Sequence, residues 1–171
     1  MEDVATALRE SDLDPQFLVL EITEGVFVQE AESVIQRMLE LKALGVRFAI
    51  DDFGTGYSSL SYLRRFPIDI LKLDKSFVDD VAVSVEDGAL AETIVQLGKN
   101  LHLQTVAEGI EHAPQLEVLR ALGCQLGQGF YFTKGLQASE MNDLLFRNSQ
   151  VKSLVEAVWL ESPSLTEESV G

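Results

Sequence analysis

The sequence predicts an α/β protein in which parallel strands alternate with helices. Five short apolar runs each end in polar or acidic residues, and loops and helical patterns follow along the chain. These runs span residues 17–21, 46–51, 68–72, 103–108 and 124–128. Strands spaced a helix apart form parallel β/α units, as in β/α barrels and open α/β sheets.

The helices are predicted from apolar residues that recur at a helical period. They span residues 4–9, 30–44, 87–97, 114–122 and 139–146, and an amphipathic pattern continues over 151–160. Gly45 stands where the helix over residues 30–44 is expected to stop. Pro114 lies just inside a helix start and Gly123 just past its end, which is the usual placement of these residues. The acidic, serine-rich residues 161–171 predict a disordered tail.

Composition narrows the class of protein and of partner. A chain of 171 residues with 46% hydrophobic and 24% charged residues is typical of one soluble globular domain. The formal net charge of −15 disfavours binding to DNA, RNA or an anionic membrane. We expect any phosphate ligand to depend on metal ions or local cations for its binding.

The single cysteine, Cys124, excludes an intrachain disulfide and favours a reducing, cytoplasmic setting. The acidic N-terminus predicts no signal peptide, and no apolar run approaches the ~20 residues of a membrane span. We expect Cys124 to be a small buried hydrophobe. His102 and His112 lack a metal-ligand spacing and are expected at the surface or at helix ends.

Polar side chains follow each predicted strand at its carboxyl end. They are Glu21, Asp51, Lys72, Glu108 and Gln128. β/α barrels and open α/β sheets place their active sites at this edge, so we expect these five groups on one face. Lys75 is interpreted either as a surface residue or as a phosphate contact.

Asp51 and Asp52 form a carboxylate pair at the end of the second predicted strand. Adjacent carboxylates repel, so keeping both ionised is costly unless a cation or a hydrogen-bond network compensates. Hard oxygen ligands suit Mg²⁺ or Mn²⁺. The alternative is an Asp-Asp turn over a glycine loop with no metal.

Five motifs in order carry a family resemblance. They are Glu21-Ile-Thr-Glu24, Asp51-Asp-Phe-Gly-Thr-Gly-Tyr-Ser-Ser-Leu60, Leu71-Lys-Leu-Asp-Lys-Ser-Phe77, Val106-Ala-Glu-Gly-Ile-Glu111 and Gly127-Gln-Gly129. Across residues 18–136 the chain resembles the EAL domain, the phosphodiesterase that opens cyclic diguanylate (c-di-GMP) to the linear dinucleotide. The resemblance implies a two-metal site, with Mg²⁺ or Mn²⁺, at the top of a TIM-type β/α barrel.

The resemblance also assigns roles to residues of this chain. Metal ligands would be Glu21, Asp51, Asp52 and Glu108, with Asp51 bridging the two ions, and the catalytic residues would be Asp51, Lys72 and Glu108. Lys72 would touch the nucleophilic water or the scissile phosphate, and Gln128 would complete the water network around a metal. Glu24 would order the loop from Asp52 to Leu60, which carries dimer contacts in the family. Asp74 and Glu111 would support the site, although Glu111 also fits a carboxylate at a helix N-terminus.

The chain departs from the family in its strand count. An EAL barrel has eight strands and about 250 residues, whereas five strands are predicted here, which implies a partial barrel lacking the first three. No Glu-Ala-Leu occurs in the sequence. We assign residues 1–147 to a truncated EAL domain and residues 148–171 to the helix and tail. Open strand edges predict a homodimer or pairing with another chain.

Two functions from different classes remain open. The chain is either a c-di-GMP phosphodiesterase or part of one, or a degenerate EAL remnant that binds nucleotide or a partner protein without catalysis. The retained ligands favour descent from an active enzyme, and the absent ligands argue against activity in this chain alone.

Overall fold

The centre of the molecule is a sheet of five parallel strands. The computed structural model describes residues 2–23, 31–54 and 63–150. The strands are β1 (Val19–Thr23), β2 (Arg47–Phe53), β3 (Ile70–Leu73), β4 (Gln104–Ala107) and β5 (Leu126–Gly127). The helices are α1 (Glu2–Ser11), α2 (Ala31–Lys42), α3 (Lys75–Val78), α4 (Val85–Asn100), α5 (Ala113–Leu122) and α6 (Ala138–Gln150). All five predicted strands are confirmed, with shifted bounds.

The order of the strands in the sheet follows their order along the chain, β1-β2-β3-β4-β5, and all pairs are parallel. Such a singly wound order is typical of β/α barrels, whereas doubly wound sheets reverse direction at a switch point. Within the described ranges the strands form an open sheet, because β1 and β5 each pair on one side only. The predicted partial barrel of five β/α units is therefore confirmed.

The core lies around β2 and β3 and beneath the helices that pack on the sheet. Ile50, Leu71 and Leu73 are almost fully buried, and all four residues of β3 are buried. Helix α4 packs against β3, β4 and α5. At Gly98 it approaches β4 so closely that a Cβ atom would overlap the side chain of Thr105.

Polar contacts fix the amino ends of the strands. Lys42 Nζ lies 2.6 Å from Asp69 Oδ1, and the other oxygen of Asp69 accepts the N–H of Phe48 at 2.8 Å. Asp69 therefore joins the end of α2 to the entry of β2 and β3. This network lies at the opposite end of the strands from the predicted site.

The first strand starts later than the sequence predicted. Asp14 accepts the N–H of Gln16 at 3.1 Å and caps a 3-10 turn, Pro15–Phe17, so Phe17 lies outside the sheet and is 71% exposed. An aspartate followed by proline favours such a turn. The prediction that Phe17 begins the strand is wrong for this reason.

The chain divides into two units, one ending at Phe132 and the other starting at Thr133. Helix α6 belongs to the second unit and confirms the predicted helix over 139–146, with longer bounds. The prediction of a helix over 151–160 and a disordered tail lies outside the described residues. In the ranges that the structure covers, every helix is too short or too polar to cross a membrane.

Candidate metal centre

A bulge at the end of β2 brings two consecutive carboxylates together. Ile50 pairs with Leu71 and Phe53 pairs with Leu73, so Asp51 and Asp52 both lie opposite the single residue between those partners. Asp52 has a positive φ of 53°. Side chains alternate between faces in a regular strand, and the extra residue of a bulge redirects one of them. As a result, one oxygen each from Asp51, Asp52 and Glu108 lie within 4.8 Å of one another.

Lys72 occupies the centre of the acidic groups. Its Nζ lies 2.8 Å from a carboxylate oxygen of each of Glu21, Asp51 and Glu108. The residue is only 7% exposed. Burial works against its positive charge, but the contacts of Lys72 with Asp51, Glu108 and Glu21 outweigh burial and raise the pKa of Lys72. Lys72 on β3 is therefore a cation at neutral pH, in contact with acids on β1, on β2 and in the loop that follows β4.

The donor set fits a divalent metal ion. Asp51 Oδ1 is buried and lies 2.8 Å from Lys72 Nζ, yet it makes no hydrogen bond of good geometry with any described group. Buried acceptors normally have a partner, and the contact that the structure gives this oxygen is its ion pair with Lys72. Clustered carboxylates are the ligands that Mg²⁺ and Mn²⁺ prefer. The role of these residues as metal ligands stays a prediction.

Asp52 and Asp74 form a second acidic contact beside this cluster. Asp74 caps α3, where its Oδ1 accepts the Ser76 N–H at 3.0 Å and the Ser76 hydroxyl at 2.6 Å. Burial opposes the Asp74 charge, but these bonds outweigh it and lower the pKa of Asp74. Asp51 raises the pKa of Asp52, and burial and Asp74 add to that rise. The neighbouring negative charges therefore oppose ionisation of Asp52.

The other predicted site residues have different surroundings. Glu111 lies beside Lys75, whose Nζ is 2.8 Å from Glu111 and 2.7 Å from Asp79. The backbone of Gln128 accepts the N–H of Ile110 at 3.0 Å, which places Gln128 next to the loop after β4. Glu24 and the predicted loop over residues 55–60 lie outside the described residues.

Three residues outside the acidic cluster also have defined places. Cys124 is 2% exposed, so the prediction of a buried hydrophobe is confirmed, and burial raises the pKa of its thiol. His102 and His112 are exposed, and His112 is the N-cap of α5. Both histidines thus match the surface and helix-end interpretation.

Gln115 was not among the predicted site residues. This buried residue accepts the N–H groups of Glu111 and His112 at 2.8 and 2.9 Å and donates to the Asp79 carbonyl at 3.0 Å. A signal was present, because Gln115 is the third residue after the N-cap, where Gln or Glu often bonds back to the cap. No local sequence pattern predicts its contact with Asp79.

The EAL domain profile matches residues 1–135 of the chain. The chain belongs to the EAL domain family. Among curated relatives, a cyclic di-GMP phosphodiesterase of Pseudomonas aeruginosa, NbdA, is 42% identical over 145 residues. That match covers 85% of this chain and 18% of NbdA, so the chain spans about a fifth of this relative's length.

Solved structures of EAL proteins share the fold. The phosphodiesterase MucR of P. aeruginosa, in complex with c-di-GMP, is 41% identical with a TM-score of 0.77. The match covers 82% of this chain and 57% of the chain in that structure, and the curated match covers 21% of the length of MucR. Klebsiella pneumoniae BlrP1, solved with manganese and c-di-GMP, is 32% identical with a TM-score of 0.72, over 78% of this chain and 34% of that one.

Proposed function

We propose that this EAL domain contributes its acidic cluster to the active site of a c-di-GMP phosphodiesterase, which hydrolyses c-di-GMP to linear pGpG in bacterial signalling. One observation carries the proposal: Glu21, Asp51 and Glu108 converge on Lys72 at the carboxyl edge of the sheet. The solved complexes of MucR and BlrP1 with c-di-GMP support the choice of substrate.

Glu21, Asp51, Asp52 and Glu108 would hold Mg²⁺ or Mn²⁺. Two such ions, when bound, lower the pKa of a water molecule and stabilise charge on the entering and leaving oxygens of a phosphodiester. In this proposal Lys72 holds three of the ligating carboxylates in position. Lys72 would also offer positive charge to the phosphate or take part in proton transfer near the metals. Gln128 and Glu24 keep the supporting roles that the family resemblance implies.

The 171 residues tested by themselves are expected to turn over c-di-GMP poorly. Five strands carry the described cluster, whereas a closed β/α barrel has eight. We assign the motif-bearing part of the domain to residues 18–136. Loss of residues that bind the metal directly is expected to cost more than the ~10–100-fold loss typical when a residue that only orients a ligand is removed. Binding without catalysis is therefore the second candidate function, and the open sheet favours it for this chain in isolation.

Hydrolysis of c-di-GMP to pGpG with Mn²⁺, followed by chromatography, tests the function. We would compare the 171-residue chain with a fusion that adds the preceding strands of the MucR EAL domain, and with the same fusion carrying Asp51→Asn. Of the three proteins, we expect only the fusion without the substitution to turn over c-di-GMP well, and we expect Asp51→Asn to abolish that turnover. A fusion that folds and binds c-di-GMP without hydrolysing it would favour the non-catalytic function.

The free sides of β1 and β5 are proposed to pair with further strands of another chain, in a homodimer or a hetero-complex. Unpaired strand edges expose backbone N–H and C=O groups that readily accept another strand. Sedimentation of the purified chain tests this proposal. A mass above that of one chain is expected, and a soluble monomer at high concentration would contradict it.

A further inference from the structure

Gln115 connects the loop after β4, which begins at Glu108 of the candidate metal centre, to the end of α3, the helix that follows β3. It lies in the first turn of α5 and is 4% exposed. Its Oε1 accepts the N–H groups of Glu111 and His112, and its Nε2 donates to the carbonyl oxygen of Asp79. Glu111 belongs to the loop that starts at Glu108, after β4. Asp79 ends α3, which follows Lys72 and β3.

A helix cap alone would not need this arrangement. The bond to His112 satisfies the N-cap, in the manner of a capping box. The bonds to Glu111 and Asp79 lie outside the helix and join the β4 loop to the end of α3. On the exposed side Lys75 repeats the connection, since its Nζ contacts both Asp79 and Glu111. Water screens that exposed contact, so the buried amide is the stronger constraint.

The rest of the β4 loop is held by backbone contacts. The N–H of Glu108 donates to the Leu73 carbonyl at 3.0 Å and continues the pairing of β3 with β4. The N–H of Ile110 donates to Gln128, and its carbonyl accepts from Tyr131 at 2.9 Å. Gly109, with a φ of 71°, lets the chain turn between these contacts against the stem of Lys75. Among the described contacts, Gln115 is thus the side chain that bonds to backbone N–H groups of this loop.

We propose that Gln115 is a positioning residue, which fixes the Glu108 carboxylate relative to Lys72 and Asp51 by joining the β3 and β4 loops. Glu108 reaches Lys72 Nζ at 2.8 Å and shares a 4.8 Å cluster with Asp51. A small displacement of the β4 loop would move Glu108 out of both contacts. The inference rests on the proposed metal site, because its consequence is a change in metal affinity.

The test compares Gln115→Leu with a matched control, Gln125→Leu. Gln125 also makes a side-chain bond to backbone, accepting the Thr105 N–H at 2.7 Å, but at the amino end of β4 and away from the acidic cluster. Gln115→Asn serves as a milder variant, since its shorter amide cannot span both loops. Each variant would be measured for Mn²⁺ affinity by electron paramagnetic resonance, for thermal unfolding, and for amide hydrogen exchange by NMR.

We expect both Gln115 variants to bind Mn²⁺ about 10-fold or more weakly, the loss typical when a group that orients a ligand is removed. Exchange at the Glu108 and Ile110 amides should become faster in the same variants. Gln125→Leu should lower the melting temperature without either effect. Wild-type affinity and unchanged exchange in a folded Gln115 variant would overturn the inference. If the wild-type chain binds no Mn²⁺, the proposed metal site is wrong. Hydrogen exchange then tests the positioning role by itself, and unchanged exchange at Glu108 in the Gln115 variants would overturn it.

Discussion

Asp51 and Asp52 are consecutive residues of β2, and their carboxylates both face Glu108 within a cluster 4.8 Å across. The bulge opposite β3 makes this possible, because it places two residues of β2 against one of its partner. The contact concentrates negative charge at one point of the carboxyl edge. Lys72 compensates Glu21, Asp51 and Glu108 directly, whereas its contribution to Asp52 is the smallest of the influences on that group.

The pKa of Asp52 should change by different amounts when different acidic neighbours are removed. Asp51 is the largest cause of its raised pKa and Asp74 contributes less. Removing a negative neighbour favours the ionised form, so Asp51→Asn should lower the pKa of Asp52 more than Asp74→Asn does. Carboxyl ¹³C NMR titration in metal-free buffer measures both. A larger effect of Asp74→Asn would show that the charge of Asp51 is compensated elsewhere.

Lys72→Met should destabilise the fold, since it leaves three carboxylates around an apolar side chain. The Lys72 pKa is raised, so its contribution is fully present at pH 7 and is lost only at strongly alkaline pH. Breaking a buried ion pair typically costs about 3–5 kcal/mol, and the partly exposed carboxylates here reduce the expected loss to about 2 kcal/mol. Urea unfolding at pH 7 measures the change.

The exposed Lys75 provides the control for that substitution. Lys75→Met removes two ion pairs that water already screens, so its effect should be clearly smaller. Equal losses in the two variants would mean that the central position of Lys72 has no special energetic role.

Gly129→Ala should distort the junction between the β4 and β5 loops. A Cβ atom there would come within 2.7 Å of the Ile110 carbonyl carbon and closer still to its backbone N and O atoms. Overpacking against backbone costs about 1–3 kcal/mol. Gly135→Ala is the control, because none of the described atoms lies within 4 Å of its added Cβ. Thermal unfolding should show a loss for Gly129→Ala only.

The contribution of Cys124 to the free energy of unfolding should decrease at alkaline pH. Burial raises its thiol pKa, so its contribution is complete below the unfolded value near 8.5 and is lost as pH rises above it. The difference in unfolding free energy between wild type and Cys124→Ala should therefore fall by up to about 1.4 kcal/mol per pH unit. A difference that stays constant from pH 7 to 10 would contradict a protonated, buried thiol.

Much of the fold was predictable because its signals are local. Short segments of sequence are enough to identify the apolar runs of β2 and β3. The same is true of the helix ends at Gly45 and Gly123. The 3-10 turn at Phe17 was missed because an apolar residue beside a strand has the same pattern as the strand itself. Capping by Asp14 decided its conformation.

The structure brings four of the five predicted strand-end groups into contact, namely Glu21, Asp51, Lys72 and Glu108. Five polar strand ends indicated one face of the sheet, since parallel strands share that edge. The central place of Lys72 could not be predicted, because it depends on the register of β3 against β2 and β4. The same holds for Gln115, whose partner Asp79 lies 36 residues away.

Manganese binding by the wild-type chain and by Asp51→Asn is the measurement that tests the central claim most directly. Titration at pH 7.5, followed by electron paramagnetic resonance, gives both affinities, and circular dichroism checks that the variant is folded. The exposed Glu117 on α5 offers the control Glu117→Gln, which should bind as the wild type does. We predict saturable binding by the wild type and at least about 10-fold weaker binding by Asp51→Asn. Equal affinity in those two chains, or no binding by the folded wild type, would contradict the assignment of the acidic cluster as a metal site.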